Sequence, residues 1–180
     1  MPINRTAMID YIDARIAKTD NPIHLELLKT LRAHMMGEVN EDVDALLATI
    51  SKSHQQYRSW GSPEEMQPAS REAIRAFYLE RQALGQLYFQ FDIDRLTVAD
   101  DIIITDGVMT SLFPGTTVVG MGLQTPRPEA VHEVTIRTII SWPFDETGLI
   151  VGEESYSVVT GAHPLADAEI PADFPAGLVG

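Results

Sequence analysis

The chain changes texture once, near Gly85. Before that point apolar residues recur three and four apart, the spacing of one helix face. After it they alternate, and β-branched residues become frequent, as in half-buried strands. No helical pattern returns between the strands. A parallel sheet needs a long crossover, usually a helix, between its strands. Helices followed by consecutive strands therefore predict an α+β domain whose sheet is antiparallel.

The helical half is punctuated by caps. A first helix spans about Asn4 to Lys18, with Ile9, Ile12 and Ile16 in register. Asp20-Asn21-Pro22 breaks it and starts a second, Asn21 as N-cap and Pro22 at N1. That helix runs to about Gly37 and places Ile23, Leu27, Leu31 and His34 on one face. Asn40 reads as the N-cap of a third helix, with the stripe Val43, Leu46, Leu47 and Ile50. His54 to Trp60 reads as a first strand, and Gly61-Ser62-Pro63 with Pro68 as a loop. Ser70 caps a fourth helix, whose stripe is Ala73, Ile74, Phe77, Tyr78 and Leu84 and which Gly85 ends. Strands are expected at Tyr88–Val98, Ile102–Phe113, Val118–Leu123, His132–Phe144 and Leu149–Thr160. The tail from Gly161, rich in Ala, Pro and Asp, reads as extended and weakly ordered. A sheet curved strongly enough to wrap the helices would leave a cavity between the two layers.

Composition excludes several classes of function. The 180 residues include 26 acidic and 13 basic ones, a formal net charge of −13. Scattered Lys and Arg in such a chain cannot neutralise a run of phosphates, so neither nucleic acid nor anionic membrane is an expected partner. No apolar run reaches spanning length, and the N-terminal segment lacks the apolar stretch of a secretory signal. There is no Cys, which removes disulfides and thiol chemistry. A cytoplasmic location fits these features. The five His show neither an i, i+4 pair nor an H-E-x-x-H pattern, so no metal is expected. Without a nucleotide-binding glycine pattern or a nucleophile elbow, no cofactor is expected either.

Three segments carry a family resemblance: HMMGEVNEDVDALLATI from His34, SREAIRAFY from Ser70, and the hairpin PFDETGLIVGEESYS from Pro143. In order and spacing they resemble the nuclear transport factor 2-like (NTF2-like) superfamily, in its ketosteroid isomerase and SnoaL-like polyketide cyclase branch. The resemblance covers about residues 22 to 160. It implies a cone-shaped α+β barrel over 21–160, preceded by a helical extension (1–20) and followed by the tail (161–180). The family's isomerases use a tyrosine, a base and a neutral acid. By this resemblance those positions fall on His34, near Arg58 and on Ile140. Two of the three isomerase residues are thus missing, and the family fold also hosts cyclases, dehydratases, epoxide hydrolases and non-catalytic binders.

Other residues offer chemistry. His34 lies on the apolar stripe of its helix, where a histidine is either a satisfied core residue or a proton shuttle. The hairpin resemblance puts Glu153 and Ser155 on the concave face, where burial would raise a carboxylate's pKa. Otherwise Glu153 and Glu154 are solvated edge charges. His132, Thr138 and Trp142 share one strand face, and Phe91 lies on another apolar face. Tyr57 and Trp60 fall where the fold places the cavity mouth, as hydroxyl donor and lid.

The expected catalytic set is therefore His34, Glu153 and Tyr57, with Trp60, Phe91, His132, Thr138, Trp142 and Ser155 binding substrate. The expected function is cofactor-independent proton transfer on a small hydrophobic molecule, carbonyl-bearing or polycyclic. The alternative is a non-catalytic module that binds a hydrophobic ligand or dimerises. Tyr156 and Val158, apolar on the outer sheet face, make a homodimer through that face the expected assembly.

Overall fold

The structure is a computed structural model and describes residues 3–62, 67–175 and 178. Pro63, in the loop expected after Trp60, lies outside the described residues, as do parts of the tail. Four helices precede the main strands: α1 (Ala7–Ile16), α2 (Pro22–Val39), α3 (Val43–Ala48) and α4 (Arg71–Ala83). Asn21 and Ser70 cap α2 and α4 as read, each side chain accepting from backbone N–H groups of the first turn. The cap of α3 is Asp42 and not Asn40, which ends α2 instead. The chain turns between them at Glu41, whose φ is 55°. Gly37 lets α3 pack tightly on α2: a Cβ there would stand 2.8 Å from the Leu46 Cβ.

The sheet contains β1 (Arg58–Ser59), β2 (Phe89–Val98), β3 (Ile102–Pro114), β4 (Val131–Pro143) and β5 (Glu154–Pro164), in the order β1-β5-β4-β3-β2. β2 to β5 are antiparallel, as the texture change predicts. β1 is a correction. The seven-residue strand expected before Gly61 shrinks to two residues and pairs with β5 in parallel, so the sheet is mixed. Irregularities in register at Ile93/Arg95 and Thr135/Ile136 bend the strands, as bulges do.

The strand expected at Val118–Leu123 is instead a short helix, α5 (Gly115–Gly120), with Val118 buried. β-branched residues suit a strand only where a neighbouring strand is free to pair. Here β3 already lies between β2 and β4. β5 starts later than read and runs to Pro164. Beyond it Leu165 and Phe174 are buried against Tyr88, Leu112 and Val131, and the Tyr88 hydroxyl donates to Asp173 at 2.7 Å. The described part of the tail is therefore packed, contrary to its expected weak order.

The main core lies between the helices and the concave face. Ile12, Leu28, Leu31, Ile74 and Ile103 are fully buried there. This is an α+β cone: helices in a curved, largely antiparallel sheet. No helix among the described residues is long and apolar enough to cross a membrane.

Candidate functional site

The cone encloses a cavity of about 350 Å³, near the lower end for small-molecule sites. Its wall is mostly apolar, with Met35, Phe77, Phe91, Met109 and Trp142 among the lining residues. Four of its polar groups cluster together. α2 contributes Glu38, α4 contributes Tyr78, and the segments that cross at β1 and β5 bring Tyr57 and Glu153.

Helical spacing puts His34 and Glu38 one turn apart on the buried face of α2. The His34 Nδ1 lies 2.8 Å from Thr49 Oγ1, whose own hydrogen goes to the Leu46 carbonyl at 2.6 Å. A hydroxyl has one hydrogen, so Thr49 accepts, and His34 must carry a proton on Nδ1. Its Nε2 then faces Glu153 Oε1 at 3.3 Å. A neutral ring with that tautomer offers only a lone pair there, so one further proton sits between the imidazole and the carboxylate. The Tyr78 hydroxyl donates to the same Oε1 at 2.5 Å. It also lies 3.4 Å from His34 Nε2 and 3.4 Å from Glu38 Oε1. Because Tyr78 has a single hydrogen and gives it to Glu153, a protonated Glu38 completes the contact as donor.

The two acids are driven apart. Burial, then the nearby charge of Glu153, pushes the Glu38 carboxyl up to about 7. Burial also pushes Glu153 upward, but the hydrogen bond and charge of His34 outweigh it, with Tyr78 helping, and hold Glu153 below the usual carboxylate range. Below about pH 7 this yields a carboxylate beside a carboxylic acid, an arrangement that separates base from acid. Burial likewise raises both Tyr57 and Tyr78, so both remain phenols. The Tyr57 hydroxyl faces Glu153 and Tyr78, yet it is buried without a hydrogen bond among the described residues.

Most sequence-identified residues come together here. Tyr57, Phe91, Thr138, Trp142, Glu153 and Ser155 line the cavity. His34 does not: it is fully buried behind Glu153 and edge-on to Trp142, with ring centroids 5.6 Å apart. It can reach a ligand only through Glu153. Two candidates lie elsewhere. His132 shares the inward strand face but sits beyond the cavity's end, its ring nitrogens engaged by Thr125 Oγ1 (2.6 Å) and the Ala130 carbonyl (2.9 Å). Trp60 is no lid: it is 45% exposed and stacks on Tyr156, ring centroids 5.7 Å apart.

Glu38 and Tyr78 join the site in the structure, though no sequence motif points to them. Tyr78 continues the apolar stripe of α4, which predicts an inward face and no chemistry. The i, i+4 spacing of His34 and Glu38 was the available signal for Glu38. Among the described residues, His34, Glu38 and Glu153 also form a group whose donor atoms lie within 4.8 Å of one another. The Tyr78 hydroxyl is in contact with all three, so a cation held there would compete with the phenol.

No family model and no curated protein matches the chain. Solved structures do. A SnoaL-like putative polyketide cyclase from Shewanella putrefaciens is similar at a TM-score of 0.60 and 15% identity, over 81% of this chain and 86% of that one. An NTF2-like protein from Anabaena variabilis gives 0.59 and 12%, over 81% and 96%. An LEH-like epoxide hydrolase from M. tuberculosis gives 0.54 and 14%, over 76% and 86%. The cone that encloses this cavity thus has the NTF2-like fold, as the three sequence segments implied.

Proposed function

We propose that the protein is a cofactor-independent enzyme that moves a proton on a small apolar, carbonyl-bearing molecule held in the cone. Glu153 is the base, held ionised by His34 and Tyr78. It takes a proton from the carbon beside the carbonyl. The electron pair of that C–H bond moves onto the carbonyl oxygen, and the Tyr57 hydroxyl donates to the oxygen as charge develops. The protonated Glu153 then returns the proton, to the same carbon or to one conjugated with it. Neutral Glu38, linked to Glu153 through the Tyr78 hydroxyl, limits the charge buried at the site.

The observation that carries this reading is the unpaired Tyr57 hydroxyl, buried beside the Glu153 carboxylate in one apolar cavity. A buried donor without a partner costs about 1–3 kcal/mol. A ligand oxygen placed there recovers that cost. A carboxylate within reach of the same ligand is what proton abstraction needs.

The test is hydrogen–deuterium exchange. A panel of cyclic ketones and enones is incubated with the protein in D2O, and α-carbon exchange is followed by NMR. Protein-dependent exchange that disappears in Glu153→Gln is the expected result. Ligands that bind, by saturation-transfer NMR, but never exchange would leave only the non-catalytic binding module.

The same reading includes assembly. Ile139 and Tyr156 are paired across β4 and β5, and with Val158 they expose an apolar patch that the Tyr156–Trp60 stack extends. We propose that a second copy of the chain covers it.

A further inference from the structure

The proton-transfer scheme gives no role to the arginines of the cavity wall, Arg58 and Arg81. Arg81, near the end of α4, lines the wall. Its guanidinium lies over the Phe77 ring, 4.0 Å from the centroid, one helical turn back. That stacking holds the planar fork in place. Its Nε is buried with no hydrogen-bond partner among the described residues. One terminal nitrogen has only a long contact, 3.4 Å, to Gln86 Oε1.

The lack of an acid partner is unusual in this chain, where acidic residues outnumber basic ones 26 to 13. Seven other arginines (5, 32, 58, 75, 95, 127 and 137) each have a carboxylate within 4.0 Å. Among them Arg58, which also lines the cavity, is engaged by Glu154 and lies over the Trp60 ring. Arg81 has no such partner among the described residues. Glu38, close enough to feel its charge, makes no ion pair with it among the described residues.

We propose that Arg81 anchors a carboxylate on the ligand, so that the molecule taken by the cone is an apolar acid and not a plain ketone. The guanidinium donates to the two carboxylate oxygens, the geometry for which its fork is built. Phe77 backs the guanidinium and also faces Tyr57, their ring centroids 6.1 Å apart. The apolar wall between the two donors receives the hydrocarbon body. Arg81 thus sets which end of the ligand enters first and which carbon reaches Glu153. This inference rests on the cavity being the ligand site.

Two probes of nearly equal shape separate the ideas: 2-naphthoate, an apolar carboxylate, and 2-acetonaphthone, its neutral ketone analogue. Each is titrated calorimetrically into the wild-type protein, Arg81→Gln and Arg81→Lys near neutral pH, with circular dichroism confirming that the variants fold. The expected result is that naphthoate binds roughly ten- to a hundredfold more weakly to Arg81→Gln, the ordinary worth of a charge-assisted hydrogen bond. Ketone affinity should be unchanged, and Arg81→Lys should fall between. Equal loss of both probes would make Arg81 a packing residue and overturn the proposal. So would naphthoate binding that ignores the substitution, with the ketone still bound and the cavity reading intact. If neither probe binds the wild-type protein, the cavity reading falls together with this one.

Discussion

Replacing Glu38 by Gln removes the one carboxyl in the cavity that is poised to titrate near neutrality, while keeping its shape and a hydrogen-bond donor. The sign follows from its raised pKa. Burial favours the protonated form, so folding is favoured at low pH, and that advantage is lost as pH rises through about 7. Taking 4.5 as the unfolded value and about 7 as the folded one, the wild-type protein should lose about 2–3 kcal/mol of stability between about pH 5 and pH 8 from this group alone. Glu38→Gln should not lose it. Glu153 works in the opposite sense: its lowered pKa contributes stability above the usual carboxylate range, lost only as pH falls through the folded value. Keeping the comparison above about pH 5 isolates Glu38. Urea unfolding followed by circular dichroism gives the midpoint and slope for both proteins across the range. The difference between them should grow with pH in favour of the variant, at constant slope. Parallel stability curves would refute a protonated Glu38 and with it the division of the two acids into acid and base.

Other perturbations address the remaining parts of the site. Glu153→Gln should reduce α-carbon exchange by about 10²–10⁴-fold, the usual worth of a positioned base, as measured by NMR in D2O. His34→Ala should lower exchange by removing the group that holds Glu153 ionised, and should move the acid limb of its pH profile upward. An unmoved limb would reduce His34 to a packing role. Gly152→Ala would set a Cβ 1.6 Å from the Gln56 carbonyl oxygen and so force apart the crossing that carries Tyr57 and Glu153. A loss of about 1–3 kcal/mol in chemical unfolding is expected, with weaker ligand binding. Val158→Asp, on a residue 59% exposed, should leave the fold intact and convert a dimer to a monomer in sedimentation. A wild-type monomer at micromolar concentration would dismiss the interface.

Local signals in the chain determined the architecture. The change from helical to alternating spacing fixed helices before strands, because each periodicity can bury only one face of its own kind of element. Asn21 and Ser70 marked two helix starts because their side chains satisfy backbone donors that nothing else nearby can satisfy. The same spacing turned His34 inward along α2, and the hairpin resemblance turned Glu153 inward along the last segment. In the structure these two residues meet, His34 Nε2 lying 3.3 Å from Glu153 Oε1.

Other features depended on partners distant in the chain. β1 pairs in parallel with β5, nearly a hundred residues away, and its two residues carry no pattern that names that partner. Val118 lies in a helix because the neighbouring strand edges were already taken. Leu165 and Phe174 gained order only from Tyr88, Leu112 and Val131. His132 and Thr138 share a strand face, yet one lies beyond the cavity and the other within its wall, because alternation gives direction and not depth. The i, i+4 spacing to His34 hints at Glu38, but only packing sets Glu38 and Tyr78 beside Glu153. The pKa of a carboxyl depends on what surrounds it in space, and that is decided where α2, α4 and the start of β5 meet.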